Sequence, residues 1–433
     1  MPIALRAILI AGLCLGFADG LCHRPGLPGE GLANRTLRAE DRVSDQPTDS
    51  TAKPFPLPTT IDARRYEQHV RTLASPEFEG RGTPRGKQLA REYLIAEFKR
   101  LKLKPLFAED QFTQDVPGVR AEDGTLPIIG QNLGAVLYGS HPDLHEEIIL
   151  LSAHYDHLGI RHDEVYPGAD DNATGVAMLL EVARTLAEQP RSPRRTVVFV
   201  AFDLEERLLW GSTWFAAHPP IELKQVKLFL TADMLGRSLG DLPMQMLFVM
   251  GAELSAGLGA VIREQSQIPG LEIAQIGADL VGTRSDYGPF RDRQIPFLFF
   301  SSGEHPNYHT PEDTPERVNF PKAIRSTELI RRVVAFTANS PDELPRWSTP
   351  AERKRDGQQG LDEVRTVYRI TELLMQRDEQ QRQTGKGGLS DLQRLLVSNI
   401  HLRTKQILHT GKFDPAERGW LIRSAQLLLA TVF

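Results

Sequence analysis

Apolar and polar positions change rhythm along this 433-residue chain. From Ile61 to Leu73, and again from Gly86 to Leu101, apolar residues return every three or four positions, as on one face of a helix. The glycine-rich turn SPEFEGRGTPRG separates them. Short, nearly continuous apolar runs then predict strands at Asn132–Tyr138, Glu147–Ala153, Thr196–Phe202, Val226–Ala232, Gln245–Met250 and Ile295–Phe300. Strands covered on both faces need such runs. Helical spacing returns between them, at Thr174–Gln189, Glu253–Gln267 and Pro321–Ala338. The alternation predicts an α/β domain with a mixed, mostly parallel central sheet flanked by helices.

At both ends the pattern fails. Residues 21–58 are rich in Pro, Gly, Asp and Ser without periodicity, a disordered lead-in. Residues 341–360 read as a linker, which bounds the α/β domain at 59–340. Helical periodicity resumes over 361–433, with Val364, Ile370, Leu373 and Leu374 on one face and Leu395, Leu396, Ile400 and Leu402 on another. A small C-terminal helical appendage is expected there. The first twenty residues have an early Arg, a short apolar stretch and Ala18-x-Gly20, the pattern of a cleaved signal peptide over 1–20. An uncleaved anchor is the alternative. Cleavage would send the protein to a periplasmic or extracellular space without a stable membrane span.

Composition changes little in this picture. Apolar content of 40% and charged content of 25% are those of a globular protein. A net charge of −5, with no dense basic cluster, excludes a nucleic-acid binder. Of two cysteines, Cys14 would leave with the signal, so Cys22 has no partner for a disulfide. Stability must then come from the core or from bound metal. Oligomeric state is left open.

The candidate chemistry lies at strand ends, where ligands of open α/β sheets bind. HYDHLG, with His154 and Asp156, follows the second predicted strand. Asp170 and Asp171 stand in GADDNATG ahead of a helix, Glu205 and Glu206 follow the third strand, and Asp233 follows the fourth. Beyond the sixth come His305 and His309. Taken singly, these read as capped turns, a helix start complementing the macrodipole, or packed histidines. The sequon Asn172–Thr174 sits inside the acidic loop, which argues against a sugar there. Taken together, unpaired carboxylates on one sheet edge would repel and resist desolvation. A pair of divalent cations removes that cost, and nitrogen and oxygen donors without thiolate suit zinc.

With those residues in view, the chain resembles the co-catalytic di-zinc aminopeptidase family, zinc exopeptidases that also include glutamate carboxypeptidases and glutaminyl cyclases. The resemblance covers about residues 61–340. It rests on five ordered motifs, HYDHLG, GADDNATG, FDLEERLLWGS, ADMLG and SDYGPF…YHTPEDT, with EFEGRGTP as a further similarity. It implies two Zn2+ held by His154, Asp171, Glu206, Asp233 and His309, with Asp171 bridging. Asp156 would orient His154, and Asp170 would shape the loop, while His157 and His305 fall outside the ligand positions. Glu205 is implied as general base and Tyr308 as oxyanion donor, against the plainer reading of a packed tyrosine. Leu208 stands where relatives commonly have glycine, and Tyr287, a pocket position, where many have histidine.

The function so implied is an exported zinc aminopeptidase acting on peptides through a metal-activated water and a glutamate base. The alternatives are a carboxypeptidase or other amide hydrolase on the same fold, and a non-catalytic scaffold. A full two-metal ligand set disfavours a glutaminyl cyclase.

Overall fold

The computed structural model describes residues 60–353 and 357–433, so the signal sequence 1–20 and the lead-in 21–58 lie outside the described residues. Eleven strands are β1 (Lys104–Pro105), β2 (Thr113–Pro117), β3 (Ile128–Leu137), β4 (Ile148–His154), β5 (Gly159–Arg161), β6 (Glu164–Tyr166), β7 (Thr196–Phe202), β8 (Val226–Ala232), β9 (Met246–Met250), β10 (Glu272–Ile276) and β11 (Phe297–Ser301). Nine form one sheet in the order β1-β3-β7-β4-β8-β11-β9-β10, with β2 also on β3, while β5 and β6 form a separate hairpin. β7, β4, β8 and β11 run parallel, and β3 and β9 flank them antiparallel. Four strands therefore end at one edge.

The continuous apolar runs follow from burial on both faces. Along β4, Ile149, Leu151 and Ala153 enter one core while Ile148 and Leu150 enter the other. β7 divides likewise, Val197, Phe199 and Ala201 against Val198, Val200 and Phe202. The first core is closed by the helices Ala63–Leu73, Pro84–Arg100, Gly175–Ala187 and Phe320–Asn339. Asp62 caps the first of these by accepting the backbone N–H groups of Arg64 and Arg65 at 2.9 and 3.3 Å.

The second core is closed by the helices Gly357–Gln383, Asp391–Thr410 and Arg418–Thr431. The expected appendage thus lies directly on the sheet. Arg418 fastens it: the guanidinium donates to Asp279 at 2.7 Å and to buried Glu363, whose carboxylate also accepts Gly277 N–H at 2.8 Å. Of the apolar face expected at 395–402, Ile400 is buried and Leu396 half-buried, but Leu395 and Leu402 face solvent. The true seam is Val397, Ile400, Thr404 and Ile407, a three–four–three spacing that a threonine conceals. Three of its members, Val397, Thr404 and Ile407, were missing from the expected set. Among the described residues no helix is long and apolar enough to cross a membrane.

Candidate metal centre

The chain leaves the parallel strands at this edge by tight, strained turns. Leu204, directly after the turn out of β7, has φ 59°, and Met234 and His309 have φ 58° and 57°. A left-handed backbone costs an ordinary residue roughly 1–2 kcal/mol, and such strain gathers where side chains must be aimed. Here it turns Glu205–Glu206, Asp233 and the Tyr308–His309 pair inward. Leu208 also takes φ 60°, with 93% of its surface exposed. The residue departs from glycine, yet its backbone occupies the region glycine enters freely.

Two groups of donors result, and Asp171 belongs to both. In the first, His154 Nε2 lies 3.4 Å from Asp171 Oδ1 and 3.3 Å from Asp233 Oδ1. In the second, His309 Nε2 lies 3.1 Å from Asp171 Oδ2 and 3.1 Å from Glu206 Oε2. His157 joins the second group, its Nδ1 2.8 Å from Glu206 Oε1 and 3.6 Å from Asp171 Oδ2. Within each group the donor atoms lie within 4.8 Å of one another. The five residues expected to gather do gather, and His157, set aside in the sequence, stands with them.

Whether these residues suit cations is answered by what their atoms lack. His154 Nε2, His309 Nε2, His157 Nε2, Asp171 Oδ2 and Asp233 Oδ1 are buried without a hydrogen-bond partner among the described residues. Orphaned buried polar atoms are costly, and imidazole and carboxylate donors in threes and fours match zinc chemistry. The donor sets fit.

Electrostatics tell the same story. Burial and its acidic neighbours raise the Glu205 carboxyl well above the usual carboxylate range, and burial also raises Asp233. Burial would lower His309, but Asp171 and Glu206 outweigh it and hold the imidazole up to about 10. His154 is raised likewise, burial being overcome by Asp233 and Glu205. Without cations, protons neutralise the crowded charges.

The supporting shell differs from expectation at Asp156. His154 Nδ1 meets the main-chain carbonyl of Asp156 at 3.1 Å, while the carboxylate stands back at 3.7 Å. The carbonyl thus serves as the orienting acceptor that leaves Nε2 toward the site. The carboxylate instead accepts Glu205 N–H at 3.1 Å. Asp170 accepts Gly236 N–H at 2.6 Å, a loop-shaping contact. His305 is buried 3.6 Å from Asp170, away from both donor groups. Asp313, in the PEDT turn, accepts the N–H groups of Asp170 and Asp171 at 3.0–3.1 Å. Asn172 is buried and donates to the Ala232 carbonyl at 2.9 Å, so the sequon carries a structural side chain.

Tyr287 does not reach the pocket. It is fully buried, stacked on Phe297 at 4.9 Å, and its hydroxyl donates to Gly282. Aromatic packing and a loop carbonyl account for it. Tyr308 stacks on His309 at 3.8 Å and lines the cavity beside Glu205 and Asp233. Sequence reading passed over Asp286, fully buried, whose carboxyl burial lifts to about 7 in a field shared with His154 and Asp233.

EFEGRGTP has a mechanical explanation. Arg81 is wholly buried and donates to the carbonyls of Tyr155 at 2.8 Å and of Leu73, Pro167 and Gly168 at 2.7 Å. Its planar fork fastens the loop that carries Asp171. Gly168, at φ 57°, follows: a Cβ there would lie 2.5 Å from the His157 ring. Arg81→Lys keeps the charge but loses the fork, leaving two or more carbonyls unsatisfied. It is expected to lose about 3 kcal/mol in urea unfolding and to bind zinc more weakly. An unchanged urea midpoint would show that the loop holds itself.

Comparison with known proteins finds relatives over the middle of the chain. Residues 132–334 match the profile of Peptidase family M28. Aminopeptidase YwaD of Bacillus subtilis is 30% identical over 198 residues, covering 44% of this chain and 41% of that protein. A probable zinc metalloprotease of Pyrenophora tritici-repentis is 27% identical over 221 residues, 46% of this chain and 44% of that one. The matched stretch therefore spans less than half the length of these relatives. Among solved structures, glutaminyl cyclase of Porphyromonas gingivalis superimposes with a TM-score of 0.51 at 20% identity, over 63% of this chain and 98% of that one. That is a likeness of fold.

Proposed function

Residues 132–334 being a Peptidase family M28 domain, we propose that this chain is an exported, zinc-dependent aminopeptidase that hydrolyses the N-terminal peptide bond of peptides. The observation that carries the reading is the meeting of two donor groups on one shared carboxylate, Asp171, with Glu205 beside them but in neither. Two zinc ions are proposed, held by His154, Asp171 and Asp233 and by Asp171, Glu206 and His309. Export rests on the signal-like pattern of residues 1–20.

Zinc, when bound, supplies Lewis acidity to the scissile carbonyl and brings the pKa of a water toward about 7. The protein's own part begins with Glu205. Its backbone is held by Asp156 and its carboxyl faces the cavity, placed to take the proton of the attacking water and pass it to the leaving amine. Tyr308 has its ring fixed against His309 and lines the cavity. It would donate to the oxyanion. The carboxylates at the metal-site end of the cavity, Asp171, Glu205 and Asp233, favour a free, cationic amino terminus over a carboxylate end, which sets an aminopeptidase above a carboxypeptidase.

The test is turnover of amino-acid p-nitroanilides by purified protein loaded with zinc, beside N-acylated anilides and peptides with a blocked amino terminus. Hydrolysis confined to free amino termini, with about two zinc ions per chain, is the expected result. Release of C-terminal residues from blocked peptides would move the reading to a carboxypeptidase. Zinc binding without any hydrolysis would leave a scaffold.

A further inference from the structure

One cavity runs from Asp171, Glu205 and Asp233 to the C-terminal helices. Its near side is sheet and loop, with Met234, Phe248 and Phe299; its far side is Val367 and Ile370 from the helix Gly357–Gln383 and Leu428 from the helix Arg418–Thr431. All six are buried. The helical residues fall outside the stretch 132–334 that matches the family. Beyond the metal-site carboxylates, the charged residues lining the cavity are Arg284 and Glu304, paired with each other at 2.9 Å. A charged guest would find no vacant counter-charge there, and burying it would be costly. The wall is also held in place, since Arg418 bridges Glu363 and Asp279 just before Leu280 and Val281, two further lining residues.

We propose that the helices Gly357–Gln383 and Arg418–Thr431 are the specificity-determining wall of the substrate pocket, selecting peptides whose N-terminal residue has a large, uncharged, apolar side chain such as leucine, methionine or phenylalanine. This rests on the aminopeptidase reading above. The chemistry agrees: ligand pockets are mostly apolar with few polar groups, and this one is continuous with Glu205 of the proposed reaction centre.

The experiment compares kcat/KM of the zinc-loaded chain for leucine, alanine and lysine p-nitroanilides. Each buried methylene is worth about fourfold, so leucine should exceed alanine by roughly fiftyfold, with lysine gaining nothing over alanine. Ile370→Trp and Val367→Trp, which fill the far end, should each lower the leucine-to-alanine ratio at least tenfold. Ile370→Ala, which cannot overpack, should move the optimum from leucine toward phenylalanine. Leu402→Ala, on the solvent side of the neighbouring helix, should leave the ratio unchanged. A ratio unmoved by all three cavity substitutions in variants that melt like the wild type overturns the proposal, as does a wild-type preference for lysine. Should no anilide be hydrolysed, the aminopeptidase reading falls by itself. The wall is then read by calorimetric binding of L-leucine against L-alanine: tighter leucine binding, lost in Ile370→Trp, upholds it, and equal or absent binding overturns it.

Discussion

Glu205→Gln is expected to lower kcat by about a hundred- to ten-thousandfold while zinc content stays at the wild-type level. The expectation comes from position. Glu205 belongs to neither donor group around Asp171, so the amide removes a proton acceptor without removing a ligand. Its backbone N–H remains held by the Asp156 carboxylate, and the substitution is nearly isosteric, so the loop has no reason to move. General-base contributions typically reach 10²–10⁴-fold. Metal analysis and stopped assays on one preparation decide it, because lost turnover with lost zinc would point to a ligand. Wild-type turnover with full zinc would end the base assignment.

Asp171→Asn is expected to have the opposite signature, with zinc stoichiometry falling from about two to one or fewer and turnover below detection. One side chain is shared by both groups, approaching His154 with one oxygen and His309 with the other. An amide has no charge and one good acceptor where two are needed. The same variant should lose most of the thermal stabilisation that zinc provides. A site filled at a thousandfold excess over Kd stabilises the fold by about 4 kcal/mol, roughly 5 °C in Tm for a unit of this size. Differential scanning fluorimetry with zinc and with chelator measures it. Equal zinc-dependent shifts in variant and wild type would mean that Asp171 bridges nothing.

Much of this centre could be read from the sequence because the fold places strand ends, and hence the residues that follow them, on one edge. β4, β7, β8 and β11 are buried on both faces, and continuous apolar runs announce such strands. β10 escaped because Glu272 and Gln275 interrupt its run, as an edge strand tolerates. His157 escaped for another reason. It follows Asp156 in a turn, and no spacing tells that both of two histidines three residues apart join the donor groups; the absence of a side chain at Gly168 leaves room for its ring. Asp156 shows the limit from the other side, since the residue was legible while the use of its carbonyl, not its carboxylate, toward His154 is a matter of turn geometry. Tyr287 read as a pocket position through the resemblance alone, because many relatives have histidine there; stacking on Phe297 turns it away.

The helices that wall the cavity are also the outer layer of the second core, with Val364, Leu374 and Leu421 packed against the sheet. Loop-built sites can drift in preference while their scaffold stays fixed. Here a change of diet would have to be written into packed helices, where each altered side chain also burdens folding. On the proposed reading, the preference of the pocket and the stability of the fold are therefore set by the same helices.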